Sequence, residues 1–68
     1  MKLWIARDED YSLWMFDDEP IKIKNFWGVN REKYPDSKPA RPLLNHYFPE
    51  ITFENSPQQV ELKLVKEE

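Results

Sequence analysis

The sequence predicts a mainly β fold: a small antiparallel sheet, curled or barrel-like, of about five short strands with one short helical or 3₁₀ turn. Three observations lead there. Apolar residues fall in short runs bounded by charge and proline, with no sustained helical period and no internal repeat. Aromatic residues make up 15% of the 68 residues, and they sit beside β-branched and aliphatic neighbours within those runs. The first two runs are apolar at neighbouring positions, so neither has a polar face, and such strands are covered on both sides.

Residues 2–7 form the first predicted strand, with charge on either side. Residues 12–17 form the second. The link Asp8-Glu9-Asp10-Tyr11 makes the pair a hairpin, because Asp at a turn start accepts a hydrogen bond from the backbone two residues on. A link of this length implies a type I turn followed by a left-handed residue. Glycine suits that place, but Asp10 or Tyr11 holds it here, at a strain of about 1 kcal/mol or more.

Pro20 interrupts the chain. Residues 21–24 alternate Ile and Lys, which predicts a third strand with Ile inward and Lys outward, extended by Phe26 and Trp27 and ended near Gly28. Residues 29–42 hold Pro35, Pro39 and Pro42 among charged residues and read as a long Pro-rich loop within a single domain of residues 1–68. Residues 43–48 predict one helical or 3₁₀ turn that drops Leu44, Tyr47 and Phe48 onto the core. Pro49 ends it. Residues 51–54 predict a short strand, residues 55–58 a turn, and residues 59–65 a strand with Val60, Leu62 and Leu64 inward. The expected core is Leu3, Ile5, Leu13, Met15, Ile23, Phe48, Ile51, Phe53, Val60, Leu62 and Leu64. Trp4, Trp14 and Trp27 are either core or an exposed apolar patch.

Composition excludes several kinds of chemistry. With no Cys there is no disulfide, thiolate metal site or Cys nucleophile. A single Gly rules out phosphate-cradling loops and dinucleotide fingerprints, and no cofactor is expected. No apolar run approaches a membrane span, and acidic residues follow Lys2 too closely for a signal peptide, so a cytoplasmic protein without membrane contact is expected. The net charge of -3 hides three blocks. Residues 1–20 hold two basic and six acidic groups; residues 21–41 hold six basic and two acidic; residues 42–68 hold two basic and five acidic.

Four constellations could carry chemistry. His46 is the one histidine, and without a second ligand or an activated nucleophile it reads as a loop residue beside two rings. Asp8, Asp10, Ser12 and Glu19 match the first, third, fifth and twelfth places of a calcium loop, but Leu13 stands where that loop needs Gly. The carboxylates Asp17, Asp18 and Glu19 suit glycoside chemistry in principle, yet so short a chain leaves little room for a substrate cleft, and a charged strand end explains them. The basic block interleaves Lys22, Lys24, Arg31 and Lys33 with Phe26, Trp27 and Tyr34, the footprint of a single-strand nucleic-acid binder. Its plainer reading is a wet strand face over core rings. The spacing Pro39-Ala40-Arg41-Pro42 also permits polyproline docking, though prolines that stiffen a loop explain it equally.

Residues 3–8, residues 12–16 with Pro20 after them, and residues 48–57 leading to Val60-Glu61-Leu62 together resemble small uncharacterised proteins of Bacteroides-type gut bacteria and their phages or mobile elements. The resemblance covers both ends of the chain and leaves out residues 25–43. It implies a phage-associated setting and a Gly at the place of Tyr11. It implies no enzymatic activity and carries no site residues.

The expected function is a non-enzymatic binding module for a protein partner or for a second copy in a homodimer, because exposed apolar area on a small protein marks an interface. Nucleic-acid binding through residues 22–34 is the alternative. The expected binding residues are Trp4, Trp14, Trp27, Lys22, Lys24, Arg31, Tyr34 and Arg41.

Overall fold

In a computed structural model of the chain, which describes residues 2–61, the protein is all β. Its strands are β1 (Lys2–Arg7), β2 (Leu13–Phe16), β3 (Ile21–Ile23), β4 (Phe26–Gly28), β5 (Arg41–Leu43) and β6 (Gln58–Glu61). A four-stranded antiparallel sheet runs in the order β5-β2-β1-β6, and β3 pairs with β4 in a separate two-stranded sheet. The larger sheet is open at both edges, so it is not a closed barrel.

β1 sits in the middle of this sheet because it is apolar on both faces. One face carries Leu3 and Ile5, opposite Val60 and Met15, and Leu13 lies beside them; the other carries Trp4 and Ala6, opposite Phe16 and Trp14. Leu3, Ile5 and Leu13 are buried on the first face, and Ala6 and Phe16 on the second. Both faces of β1 therefore carry buried side chains, with Trp4 and Trp14 half-buried on the second. Ile51 closes the first face over Ile5 and Leu13, with Leu43 and Val60 packed alongside.

The β1–β2 turn has the expected form. Tyr11 N–H donates to the Asp8 carbonyl at 3.0 Å, Asp8 N–H donates to the Ser12 carbonyl at 2.8 Å, and Tyr11 takes a φ of 73°. That is a type I turn with a left-handed residue behind it. Asp10 organises its tip by accepting bonds from Ser12 N–H at 3.0 Å and from the Ser12 hydroxyl at 2.5 Å.

Residues 21–28 depart from the single extended strand of the sequence reading. Lys24, with a φ of 57°, and Asn25 reverse the chain in a two-residue hairpin with a left-handed first residue. The alternation is real but its sense is inverted. Register puts Ile21, Ile23 and Phe26 on one face and Lys22 with Trp27 on the other. The Lys22–Trp27 face meets Phe53, and Ile23, expected in the core, is 37% exposed. Lys22 tolerates this place because its aliphatic stem covers rings while its ammonium stays wet.

The stretch 29–42 yields a strand at its end. β5 pairs with β2, opposing Pro42 to Trp14. Proline fits there because β5 is an edge strand, where a missing N–H costs no ladder bond. The helical turn over residues 43–48 and the strand over residues 51–54 do not form. Leu44, Tyr47 and Phe48 are exposed, so Phe48 is not a core residue. Thr52 and Asn55 exchange bonds between side chain and backbone, at 2.8 and 3.2 Å, which holds residues 52–55 in a turn. Met15, Phe53 and Val60 are half-buried. Leu62 and Leu64, with the rest of the predicted final strand, lie outside the described residues.

Candidate functional site

Arg7 decides how the segment after β5 runs. It alternates with Leu3 and Ile5 on β1 and is 7% exposed. No carboxylate pairs with it among the described residues. Its five guanidinium N–H donors go to backbone carbonyls instead. Nε donates to Ile51 at 2.6 Å, Nη1 to Tyr11 at 2.8 Å and Asn45 at 3.0 Å, and Nη2 to Tyr47 at 3.0 Å and Phe48 at 3.2 Å. A buried guanidinium needs all its donors met. The segment 44–51 therefore wraps its carbonyls inward and its rings outward. Phe48 adopts a φ of 49° to do so, and His46 and Phe48 stack edge-on against Tyr47 at 4.9 and 6.5 Å.

Asp8 joins the two sheets. Its Oδ1 accepts from Trp27 N–H at 2.9 Å and its Oδ2 from the Ser12 hydroxyl at 3.2 Å, while Glu9 N–H reaches the Asn25 carbonyl at 3.0 Å. Trp27 N–H points away from β3, so Asp8 satisfies the outer edge of β4. The Trp27 ring meets Phe53 edge-on at 6.4 Å, and the Lys22 ammonium lies 4.4 Å from the Phe53 centroid and 5.6 Å from that of Trp27.

This fixes one face of β3–β4 against the body and turns the other outward. Ile21, Ile23 and Phe26 are 45%, 37% and 44% exposed there, flanked by Lys24 at the turn. The Ile23 Cδ1 methyl lies across Gly28, where a Cβ would stand 2.9 Å from it. Gly28 thus leaves room for the Ile23 side chain to lie across the strand pair.

The residues expected to bind are only partly gathered here. Lys22 and Trp27 meet each other, but on the inward side of the hairpin. Trp4 and Trp14 are half-buried on one face of the larger sheet, beside Ala6 and Phe16, and the Trp14 Nε1 donates to the Ser12 hydroxyl at 3.1 Å. None of the three tryptophans is freely exposed. Arg41 pairs with Asp17 at 2.5 Å, Arg31 bonds the Ser37 carbonyl, and half-buried Tyr34 lies beneath the Lys33 ammonium at 5.3 Å. Ile21, Ile23 and Phe26 were missed as surface. Strict alternation marks two faces, but it does not say which one a larger body covers.

Among the described residues, no group of three or more His, Asp or Glu side chains is placed to hold a metal ion, and no helix is long and apolar enough to cross a membrane. No protein-family model, curated protein or solved structure matches the chain.

Proposed function

We propose that the chain is a non-enzymatic protein-binding module that docks its partner on the outward face of β3–β4. The observation that carries this reading is the set Ile21, Ile23 and Phe26, three large apolar side chains side by side in water. Grouped apolar exposure of this kind marks an interaction site. Nothing in the fold requires it, because the body is anchored by Trp27 from the opposite face.

The partner is a protein segment that combines apolar and acidic residues. Residues 21–41 carry six basic groups against two acidic, and only Arg41 among them is ion-paired within the described residues. That charge attracts an acidic segment and disfavours a second copy, which would bring Lys24 against Lys24 in face-to-face pairing. The chain ends resemble small uncharacterised proteins of Bacteroides-type gut bacteria and their phages or mobile elements, and the phage-associated setting this implies would make a host protein the source of such a segment.

Selection from a random peptide library on the immobilised full chain tests the proposal. Peptides joining acidic and large apolar residues are expected to be enriched, and the enrichment should vanish on the Ile23→Ser/Phe26→Ser double variant. Enrichment of basic peptides would contradict the charge argument. Salt-sensitive retention of single-stranded RNA, lost on Lys22→Ala/Lys24→Ala, would replace the proposal with nucleic-acid binding. A concentration-dependent dimer in sedimentation would replace the partner with a second copy.

A further inference from the structure

We propose that the partner of β3–β4 binds by strand addition: an extended segment that alternates apolar and acidic residues pairs with the outer edge of β3. The inference rests on the docking face proposed above and specifies the backbone and sequence pattern that the face recognises.

The two edges of this small sheet differ. The body closes the β4 edge, where Trp27 N–H donates to the Asp8 carboxylate at 2.9 Å and Glu9 N–H donates to the Asn25 carbonyl at 3.0 Å. The Trp27–Asp8 bond also sets the phase of the ladder. Trp27 N–H is directed away from β3, so the opposed residues Lys22 and Trp27 form a non-hydrogen-bonded pair. The N–H and C=O of Lys22 therefore point off the far side of β3, and neither is bonded among the described residues. Of the described strands, β3 alone is exposed at every residue. Open backbone groups on such an edge are a template for another strand. The other edges offer less. Pro42 removes a donor from β5, and β6 presents no exposed large apolar side chain.

Register then dictates the ligand. The added residue opposite Lys22 shares its face, so an acidic side chain there meets the Lys22 ammonium. The residues on either side of it fall on the face of Ile21, Ile23 and Phe26, so they are apolar, and β-branched side chains suit them. The surrounding charge has the same sense, with six basic groups against two acidic over residues 21–41. A second copy is disfavoured as the added strand. Antiparallel pairing of two β3 edges about Lys22 sets lysine against lysine.

The probe is a short acetylated peptide amide that alternates Val and Glu, titrated into the full chain and followed by NMR. One control alternates Val and Lys. Another has the probe's composition with its valines and glutamates in separate blocks. Saturable binding is expected for the Val–Glu alternation alone, with Lys22 amide hydrogen exchange slowed on the order of tenfold or more in the complex. N-methylation at successive peptide positions should alternate between loss of binding and tolerance, because only every second N–H faces β3. Lys22→Pro removes the outward N–H and no ladder bond, and should bind on the order of tenfold more weakly than Lys22→Gln. Binding that is lost on Ile23→Ser/Phe26→Ser, yet leaves Lys22 exchange unchanged and shows no alternation on N-methylation, would overturn strand addition and keep the docking face. Equal binding by either control would overturn the sequence pattern. Failure of the probe while library-selected peptides still shift the Ile21 and Ile23 methyls would overturn it too. No shift at those methyls with any peptide would overturn both the docking face and the added strand.

Discussion

Replacing Arg7 with Met should unfold much of the chain at physiological temperature. The substitution keeps the unbranched apolar stem and removes five hydrogen bonds. Bonds to a charged donor contribute about 1.5–3 kcal/mol each, but their simple sum overstates the loss. Burying the guanidinium itself costs several kcal/mol, which the variant recovers. The carbonyls of Tyr11, Asn45, Tyr47 and Phe48 are near the surface, and water can take Arg7's place on them. The Ile51 carbonyl is buried and cannot rehydrate, at a cost of about 1–3 kcal/mol. The rest of the loss comes from the segment 44–51, which loses its anchor and releases Ile51 from Ile5 and Leu13. The net cost should be about 3–5 kcal/mol, from the orphaned Ile51 carbonyl together with the lost burial of the Ile51 side chain. At about 4–8 °C per kcal/mol in a domain of this size, the midpoint should fall by at least about 12 °C. Thermal melts followed by near-ultraviolet circular dichroism measure this, with Arg7→Lys, which keeps the charge and fewer donors, expected between the two. A midpoint for Arg7→Met within a few degrees of wild type would refute the reasoning and leave Ile51 burial as the sole anchor of the segment.

Three further outcomes follow from the same geometry. Tyr11→Gly should raise the melting midpoint, since relief of about 1–2 kcal/mol of left-handed strain exceeds the added chain entropy of about 0.4–1 kcal/mol; a lower midpoint would contradict the turn. Ile23→Ser should cost less than about 1 kcal/mol in a urea melt, whereas Ile5→Ala should cost about 2–5 kcal/mol; equal costs would mean that the isoleucine face of β3–β4 is covered. Bonds from the Ser12 hydroxyl and then the Ser12 N–H hold the Asp10 carboxyl below its ordinary pKa. Such a group stabilises the fold above its unfolded pKa, and that contribution is lost as pH falls through the lower folded value. Carboxyl carbon NMR should show the Asp10 titration moving upward in Ser12→Ala, and an unmoved titration would disprove the hydroxyl's part.

What the sequence discloses and what it hides divide along physical lines. β1, β2 and the left-handed place at Tyr11 were legible, because doubly apolar strands and turn chemistry are local signals. Arg7 was not, because a charge at a strand end normally marks solvent. Its one clue is that it continues the Leu3, Ile5 face of β1. The Ile-Lys alternation identified two faces but not the covered one, which Phe53 decides from a distance in sequence. Pro42 concealed β5, since only an edge position accommodates it. Lys22 and Trp27 share one face, where the plainer sequence reading separates them into a wet lysine face and a core ring, and the apolar face beside them is the one that reading places in the core.

The four isoleucines of the chain test the docking claim most directly. Ile5 and Ile51 are 2% and 4% exposed, whereas Ile21 and Ile23 are 45% and 37% exposed. A methyl NMR spectrum of the isoleucine-labelled full chain, recorded while an enriched acidic peptide is added, resolves both pairs at once. The account predicts saturable shifts at the Ile21 and Ile23 methyls with Ile5 and Ile51 unmoved. Unmoved Ile21 and Ile23 methyls at peptide saturation would contradict it.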